Sequence, residues 1–442
     1  MLGTYWPIFA VAVLVASTYV AWTWFEARGE RVLQSEVDAI AAMGELLPPT
    51  LHPVIDPSRC IGSGACVRAC PEHQVIGLLQ GRATLVSPMS CIGHGACAAA
   101  CPAQAIQLVF GTRSRGLELP RIDRDFQTNQ PGIYIAGELG GMGLIRNAIV
   151  QGAQAARHIV TGPSPQLRRR GRGGALDALI VGAGPAGISA TLSMLEAGLN
   201  VLLVDQETFG GTIMHYPRAK VVMTGDLPLP LVGTVKRNTM SREALVELWR
   251  DIQRRFNVPF KSHQLVQGVE ATADGMWRVK TETDEFCAAN VVLALGTRGS
   301  PRRLGVPGEE LGKVHYRLLE PKEFAGKHVL VVGGGNSAVE SALSLHDFGG
   351  CASVGISYRR EQFFRCRSDN RKRIDTAIGS GRVRAFMSTN VVNVTPRRVT
   401  FQNDGNAYEI DNDAVIAQLG GTAPTEVLKS FGIELVTKYG ER

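Results

Sequence analysis

The chain has 442 residues, enough for two to four domains at roughly 100–200 residues each. Hydrophobic residues make up 45% and charged residues 20%, a globular balance that excludes a disordered chain. The formal net charge of +7 suits an anionic membrane surface or an acidic protein partner. No basic patch interleaved with aromatics argues for nucleic acid. Of nine cysteines, six lie between Cys60 and Cys101, while Cys287, Cys351 and Cys366 are scattered. In a chain of this length the dense six read as metal ligands in a reducing compartment rather than as disulfides.

Residues 1–27 carry the first predicted element. No side chain up to Phe25 is charged, and Tyr5 to Phe25 has the ~20-residue length of a bilayer span. Tyr5, Trp6, Trp22 and Trp24 lie near its ends, where aromatic belts occur. With no basic n-region, a cleaved signal peptide fits less well than a transmembrane anchor. Arg28 and Arg31 follow the span and no Lys or Arg precedes it, which predicts a single-pass protein of the inner, cytoplasmic membrane with its catalytic part in the cytoplasm. Residues 28–50 read as an amphipathic linker helix, with Leu33, Val37, Ile40 and Leu47 at helical spacing and Pro48-Pro49 as its stop.

Residues 51–109 contain an internal repeat. Nine of the twelve residues Cys60–Pro71 match Cys91–Pro102. The run resembles the bacterial two-cluster ferredoxins, whose C-x2-C-x2-C-x3-C-P pattern gives its fourth cysteine to the other cluster. That resemblance implies Cys60, Cys66 and Cys101 on one iron–sulfur cluster, and Cys91, Cys97 and Cys70 on a second. Gly62, Gly64, Gly93 and Gly95 suit loops that wrap a cubane. Both repeats depart from the pattern at the second cysteine, which is Ser63 in one and His94 in the other. Three outcomes remain open: a 3Fe-4S cluster on three thiolates, a 4Fe-4S cluster whose fourth iron takes Ser63, His94 or water, or the loss of one cluster. Zinc fits less well, because serine is a poor zinc ligand.

Residues 176–207 read as strand, glycine turn, helix, strand and acid. Gly182, Gly184 and Gly187 form G-x-G-x-x-G, with Pro185 and Ala186 between them and Asp205 where a ribose hydroxyl needs an acceptor. A second copy spans 328–349, with Gly333, Gly335, Asn336, Ser337 and Ala338 at the turn. Arg359, Arg360 and Arg365 follow the next strand and could clamp a 2′-phosphate, which favours NADP over NAD.

Two such folds resemble the thioredoxin-reductase-like branch of the two-dinucleotide flavoproteins. ALGTRGSPR (294–302) and DNDAVIAQLGGTAPT (411–425) resemble its two interdomain crossovers. The resemblance implies FAD and NADP(H) as cofactors, with Gly137, Glu138, Gly210, Gly211, Thr212, Gly296 and Thr297 as further contacts. The family normally closes its FAD domain with a carboxy-terminal T-x-x-P-G-[IV]-[FY]-A-x-G-D segment. Here TNQPGIYIAGELGG (128–141) stands before the first glycine motif, so we read a circular permutation; the alternative is a separate domain.

The expected fold class is therefore α/β, with two Rossmann-like domains for FAD and NADP preceded by a single transmembrane helix and a small α+β two-cluster ferredoxin-like domain. The expected boundaries are 1–27 anchor, 28–50 linker helix, 51–109 iron–sulfur domain and 110–162 closing segment of the FAD domain. A basic linker at 163–174 follows, then 175–300 FAD-binding, 301–410 NADP-binding and 411–442 return to the FAD domain. The expected function is a membrane-anchored oxidoreductase moving electrons between NADPH, FAD and its own clusters. The outer partner is open among a quinone, a cytochrome, a ferredoxin and a membrane subunit, and the resemblance allows a homodimer. One rival is disulfide reduction of the kind in the bacillithiol disulfide reductases, which also resemble the chain, as do ferredoxin–NADP reductases. Against it, residues 314–327 hold no C-x-x-C, and Ala186 stands where the bacillithiol enzymes are expected to place a cysteine. The other rival is a redox-sensing or docking protein with a degenerate ferredoxin module. No side-chain acid or base is required, so no catalytic residue is named.

Overall fold

The computed structural model describes residues 6–42, 51–72, 75–112, 116–162, 175–216, 218, 220–237, 239–297, 301–318, 320–363, 366, 368–403, 405–421 and 424–441. Arg365, the linker 163–174, Tyr5, Leu47 and Pro48-Pro49 fall outside them. The chain divides into two compact units, one of Met1–Arg115 with Tyr439–Arg442 and one of Gly116–Lys438.

The first unit opens with helix α1 (Trp6–Ala42), which packs on the later strand β2. The transmembrane expectation is corrected here: among the described residues no helix is long and apolar enough to cross a membrane. α1 does not end with its apolar run but continues through Arg28, Glu30 and Arg31. Its apolar residues run from Trp6 to Phe25. Ser17, Thr18 and Thr23 interrupt them, each bonding its hydroxyl to a carbonyl about one turn back. The single-pass inner-membrane localisation and the membrane as partner lose their basis with the span. The fold class becomes an α/β flavoprotein oxidoreductase fold with a ferredoxin-like region.

Each cysteine repeat then builds strand–helix–strand: β1 (His52–Ile55), α2 (Ala65–Ala69) and β2 (Ile76–Leu79), then β3 (Arg82–Leu85), α3 (Ala96–Ala99) and β4 (Ile106–Val109). The repeats interlock. β1 runs antiparallel to β4 with Ile55 opposite Ile106, and β2 antiparallel to β3 with Ile76 opposite Leu85. The core between them is small and sulfur-rich: Cys66, Cys70 and Cys97 with Val75, Ile76 and Ala83. A module this small buries too little hydrocarbon to be stable on packing alone.

In the second unit, β5 (Leu117–Pro120) pairs antiparallel with the chain end Leu435–Lys438. Next come β6 (Ile133–Ile135), α4 (Ile145–Thr161), β7 (Ala178–Val181), α5 (Pro185–Glu196) and β8 (Val201–Val204). One five-stranded parallel sheet has the order Phe260–Lys261, β8, β7, Val291–Leu293, β6. β7 and Val291–Leu293 are buried throughout, as central strands of a parallel sheet covered on both faces must be, and the edge strand β6 is buried as well. The segment preceding the first glycine motif thus supplies an edge strand of that motif's own sheet. Its helix α4 crosses α5 at backbone contact. A Cβ built on Gly152 would lie 2.9 Å from the Ala186 carbonyl carbon and nearer still to its oxygen. The buried Ser189 hydroxyl of α5 donates to the Ile149 carbonyl of α4 at 2.7 Å.

A second five-stranded parallel sheet runs Val314–His315, Ala414–Ala417, His328–Val332, Ser353–Tyr358, Arg384–Met387. A glycine turn leaves the carboxyl end of a central strand in each sheet, β7 and His328–Val332, where open α/β sheets bind ligands.

Candidate functional site

The cysteines ring two hollows. The first is lined by Cys60, Cys66 and Cys101 with Gly62, Ser63 and Gly64. The second is lined by Cys70, Cys91 and Cys97 with Gly93, His94 and Gly95. Each hollow therefore takes two thiols from one repeat and one from the other, the crosswise sharing that the resemblance implied. Four glycines shape the loops. Gly62, Gly64, Gly93 and Gly95 have φ of 68°, 66°, 79° and 76°, a region that side chains rarely adopt. Amide N–H groups point at sulfur: Ala83 donates to Cys60 at 3.4 Å and Ala105 to Cys101 at 3.2 Å.

The thiols are chemically uneven. The amides of Ala83 and Gly62 hold Cys60 below the usual thiol range. Burial pushes Cys66 and Cys91 up, and Cys97 up to about 11. Thiolates at the buried positions need a cation against them, which is what a cluster supplies when bound. Among the described residues no three His, Cys, Asp or Glu side chains close on a single ion-sized point. Thiols around a hollow fit a cluster, which spreads its ligands over separate irons, better than one zinc ion. Ser63 and His94 occupy unequal places. Ser63 is exposed and its hydroxyl accepts from the Ala65 amide at 3.4 Å. His94 is half-buried on the wall of the second hollow.

The first dinucleotide turn is equally specific. Gly182 has φ 109°, and a Cβ there would lie 2.7 Å from the Ala294 carbonyl carbon. A Cβ on Gly187 would strike Gly182, whereas one on Gly184 would meet nothing within 4 Å. That opening faces the start of α5, where Pro185, Ala186 and Gly187 form the first turn and a pyrophosphate fits. Gly137 and Gly211 close in from either side: a Cβ on Gly137 would lie 3.0 Å from that of Ala186, and one on Gly211 2.8 Å from the Gly184 Cα. Thr212 follows Gly210 and Gly211 in the same short 3-10 turn. The Gly137 amide donates to Gln151 of α4 at 2.8 Å. Glu138 is exposed beside it, and Gly296 (φ 66°) and Thr297 follow the strand Val291–Leu293.

Asp205 is more structural than the sequence indicates. Its carboxylate accepts from the Ala183 amide at 2.6 Å and the Glu207 amide at 2.8 Å, tying the glycine turn to the end of β8. Burial raises its carboxyl above the usual range even against those two amides.

At the second turn, Gly333 has φ 141° and a Cβ on Gly335 would meet nothing within 4 Å. Asn336, Ser337 and Ala338 open the helix Asn336–Phe348. The Tyr358 ring lies over Gly334 and stacks on Phe363, centroids 5.7 Å apart. Exposed Arg359 and half-buried Arg360 follow.

One constellation escaped the sequence reading. Glu207 bonds His215 and receives Arg317 at 2.5 and 3.0 Å. The His215 hydrogen bond and Arg317 hold the Glu207 carboxyl down to about 2. Arg218–Glu320 and Lys220–Glu340 (2.9 Å) run beside it, so three ion pairs tie the loops after β8 to the second sheet's lobe. Each pairs residues about a hundred positions apart, with no motif to announce them. Of the scattered cysteines, none is disulfide-bonded; Cys287 is exposed, and burial pushes the Cys366 thiol up to about 11.

Two parallel sheets, each with a glycine turn open at the mouth of a helix, define an oxidoreductase with two dinucleotide sites, here joined to a ferredoxin-like cysteine module. The chain belongs to the pyridine nucleotide-disulphide oxidoreductase family, whose profile matches residues 179–440. A 4Fe-4S dicluster domain profile matches residues 52–102. It is an NAD(P)H-dependent, FAD-dependent oxidoreductase with an iron–sulfur domain. Over 273 residues it is 26% identical to the bacilliredoxin reductase of Bacillus subtilis, covering 60% of this chain and 82% of that one. Over 187 residues it is 31% identical to a ferredoxin–NADP reductase of Ignicoccus hospitalis, covering 42% of this chain and 57% of that one, little more than half its length. Among solved structures, a bacillithiol disulfide reductase from Bacillus cereus superposes with a TM-score of 0.52 at 25% identity, covering 59% of this chain and 82% of that one.

Proposed function

We propose that this protein moves electrons between NADPH and two iron–sulfur clusters on the same chain, with FAD between them. The observation that carries the reading is the coexistence of two thiol-ringed hollows with two open dinucleotide turns. When bound, NADPH supplies a hydride, FAD takes the pair and releases single electrons, and each cluster accepts one.

The chain's own residues bind and orient. Gly184 and Gly335 leave room for pyrophosphates at two helix starts. Arg359 and Arg360 take the 2′-phosphate of NADPH. Six thiols hold the clusters. His94 would offer a nitrogen to an iron in the second hollow, and in the first the three thiols would hold the cluster with Ser63 exposed beside them. The outer partner is a one-electron carrier, and the cluster potentials set the direction of flow.

NADPH added anaerobically to protein with full flavin and iron content bleaches the flavin and then the cluster absorbance. Clusters that stay oxidised at equilibrium beside reduced flavin, and that after reduction by dithionite pass no electrons to NADP, overturn the reading. Similarity to a bacilliredoxin reductase favours a second one, disulfide reduction. The buried Cys366 speaks against it, since a thiol held at about 11 is a poor nucleophile at neutral pH. NADPH-dependent thiol release from a small disulfide would revive it.

A further inference from the structure

The two hollows arise from one repeated segment, so differences between them stand out against a common background. The clearest difference is charge. Arg59 and Arg68 flank the first loop, and at the same offset from Cys91 the second repeat has Ser90 and Ala99. Each arginine is anchored on the lining of the first hollow. Arg59 donates to the Ala103 carbonyl at 3.2 Å, and Arg68 to the Ser63 carbonyl at 3.2 Å. A third, Arg82, starts β3 and acts on Cys60 electrostatically. All three side chains are exposed. The acid nearby is Asp56, whose carboxylate accepts from the Ser58 amide at 2.9 Å and hydroxyl at 2.6 Å. The second hollow instead has an acid, Glu72, on its wall.

The centre of this ring is apolar. Ile61, next to Cys60 and lining the first hollow, is 71% exposed. It does not need to face water for the fold, because the module's core is built from other residues. An exposed apolar centre within a charged rim is how protein interfaces are organised. A rim of one sign selects partners of the other and speeds their encounter.

We infer that the surface around the first hollow, Ile61 ringed by Arg59, Arg68 and Arg82, is the docking face for a small acidic electron-carrier protein. This rests on the electron-transfer reading above, and it assigns the external exchange to the Cys60–Cys66–Cys101 site rather than to the His94 site. Docking on Ile61 brings the partner's redox centre against a hollow whose own lining is part of the contact. The arginines steer the approach and hold the complex briefly, as an electron carrier that must leave again requires.

The test uses the full-length holoprotein and an acidic flavodoxin as probe, with basic cytochrome c as the opposite probe. Binding is titrated calorimetrically at low and high salt. Electron exchange with dithionite-reduced protein is followed by stopped flow, so that it does not depend on NADPH. The pair Arg59→Glu, Arg82→Glu is expected to slow association with flavodoxin about 30-fold or more at low salt, the range that separates steered from unsteered encounters, and to flatten the salt dependence. Ile61→Ser should weaken binding at every salt concentration. Arg278→Glu, a single charge reversal on the other compact unit, should do neither. Iron and sulfide counts on each variant, together with Arg59→Gln, separate docking from damage to the site. Flavodoxin binding that ignores the arginine reversals, an equal effect from Arg278→Glu, or a preference for cytochrome c overturns the inference. Flavodoxin that responds to the arginines while NADPH fails to reduce the clusters leaves the docking face standing and removes the NADPH pathway.

Discussion

Gly152→Ala tests whether the helix that precedes the first glycine turn in the chain supports the flavin. The added Cβ would lie 2.9 Å from the Ala186 carbonyl carbon, 3.2 Å from its Cα and closer to its oxygen, all of it backbone. Ordinary contact begins near 3.4 Å, so α4 and α5 must part by roughly half an ångström or more. Overpacking of this kind typically costs about 1–3 kcal/mol. At ~2–4 °C per kcal/mol for a large domain, the melting temperature should fall by several degrees. Ala186 sits in the first turn of α5, so the same movement opens the turn that faces the pyrophosphate. If half of that cost, about 0.5–1.5 kcal/mol, appears in binding, FAD affinity falls roughly two- to tenfold, since ~1.4 kcal/mol is a factor of ten. The assay is reconstitution of apoprotein followed by quenching of flavin fluorescence, with thermal melting of the holoprotein beside it. Gly268→Ala is the control, because a Cβ there meets nothing within 4 Å and φ is not left-handed. Unchanged melting and unchanged flavin affinity in Gly152→Ala would refute the argument that this crossing shapes the site.

His94→Cys should lower the reduction potential of one cluster and leave the other unmoved, read by potentiometric electron paramagnetic resonance; Ser63→Cys should alter the other signal. Glu207→Gln should destabilise the larger unit in urea at pH 7. The shift from 4.5 to about 2 sets an upper bound near 3 kcal/mol, discounted to roughly 1–2 because Arg317 is partly exposed. A depressed carboxyl stabilises fully above pH 4.5 and loses that effect as pH falls towards 2, so the gap from wild type should shrink by about half near pH 3 and close near pH 2. Arg359→Ala with Arg360→Ala should raise the KM for NADPH about tenfold, the scale of a lost charge-assisted bond, and leave that for NADH unchanged. Iron chelation should lower the melting transition of the smaller unit, whose core is half cysteine, and leave that of the larger unit in place.

Glycine turns are legible where backbone leaves room for nothing else. At Gly182 and Gly187 a Cβ would strike the chain itself, and at Gly184 the space is reserved, so three glycines report one conformation. The cysteine grouping was legible through resemblance, since spacing alone does not say that Cys101 faces Cys60 rather than Cys91. Three features were hidden. α1 reads as a membrane span when residues are counted from Tyr5 to Phe25, but the helix runs on into charged residues, and among the described residues no helix is long and apolar enough to cross a membrane. Asp205 stands where a ribose acceptor belongs, yet two backbone amides already engage it. The Glu207–His215–Arg317 group depends on how loops meet across two lobes, and local pattern carries no information about that.

The exchange of cysteines between repeats bears on how the small unit matures. Neither half can be completed alone, because each hollow needs a thiol from the other repeat. Filling either hollow therefore fixes both halves in register, β1 against β4 and β2 against β3, and presents the remaining three thiols already gathered. The first metallation event does the folding work for the second. Half-loaded molecules should be scarce at equilibrium, with the population divided between empty and full.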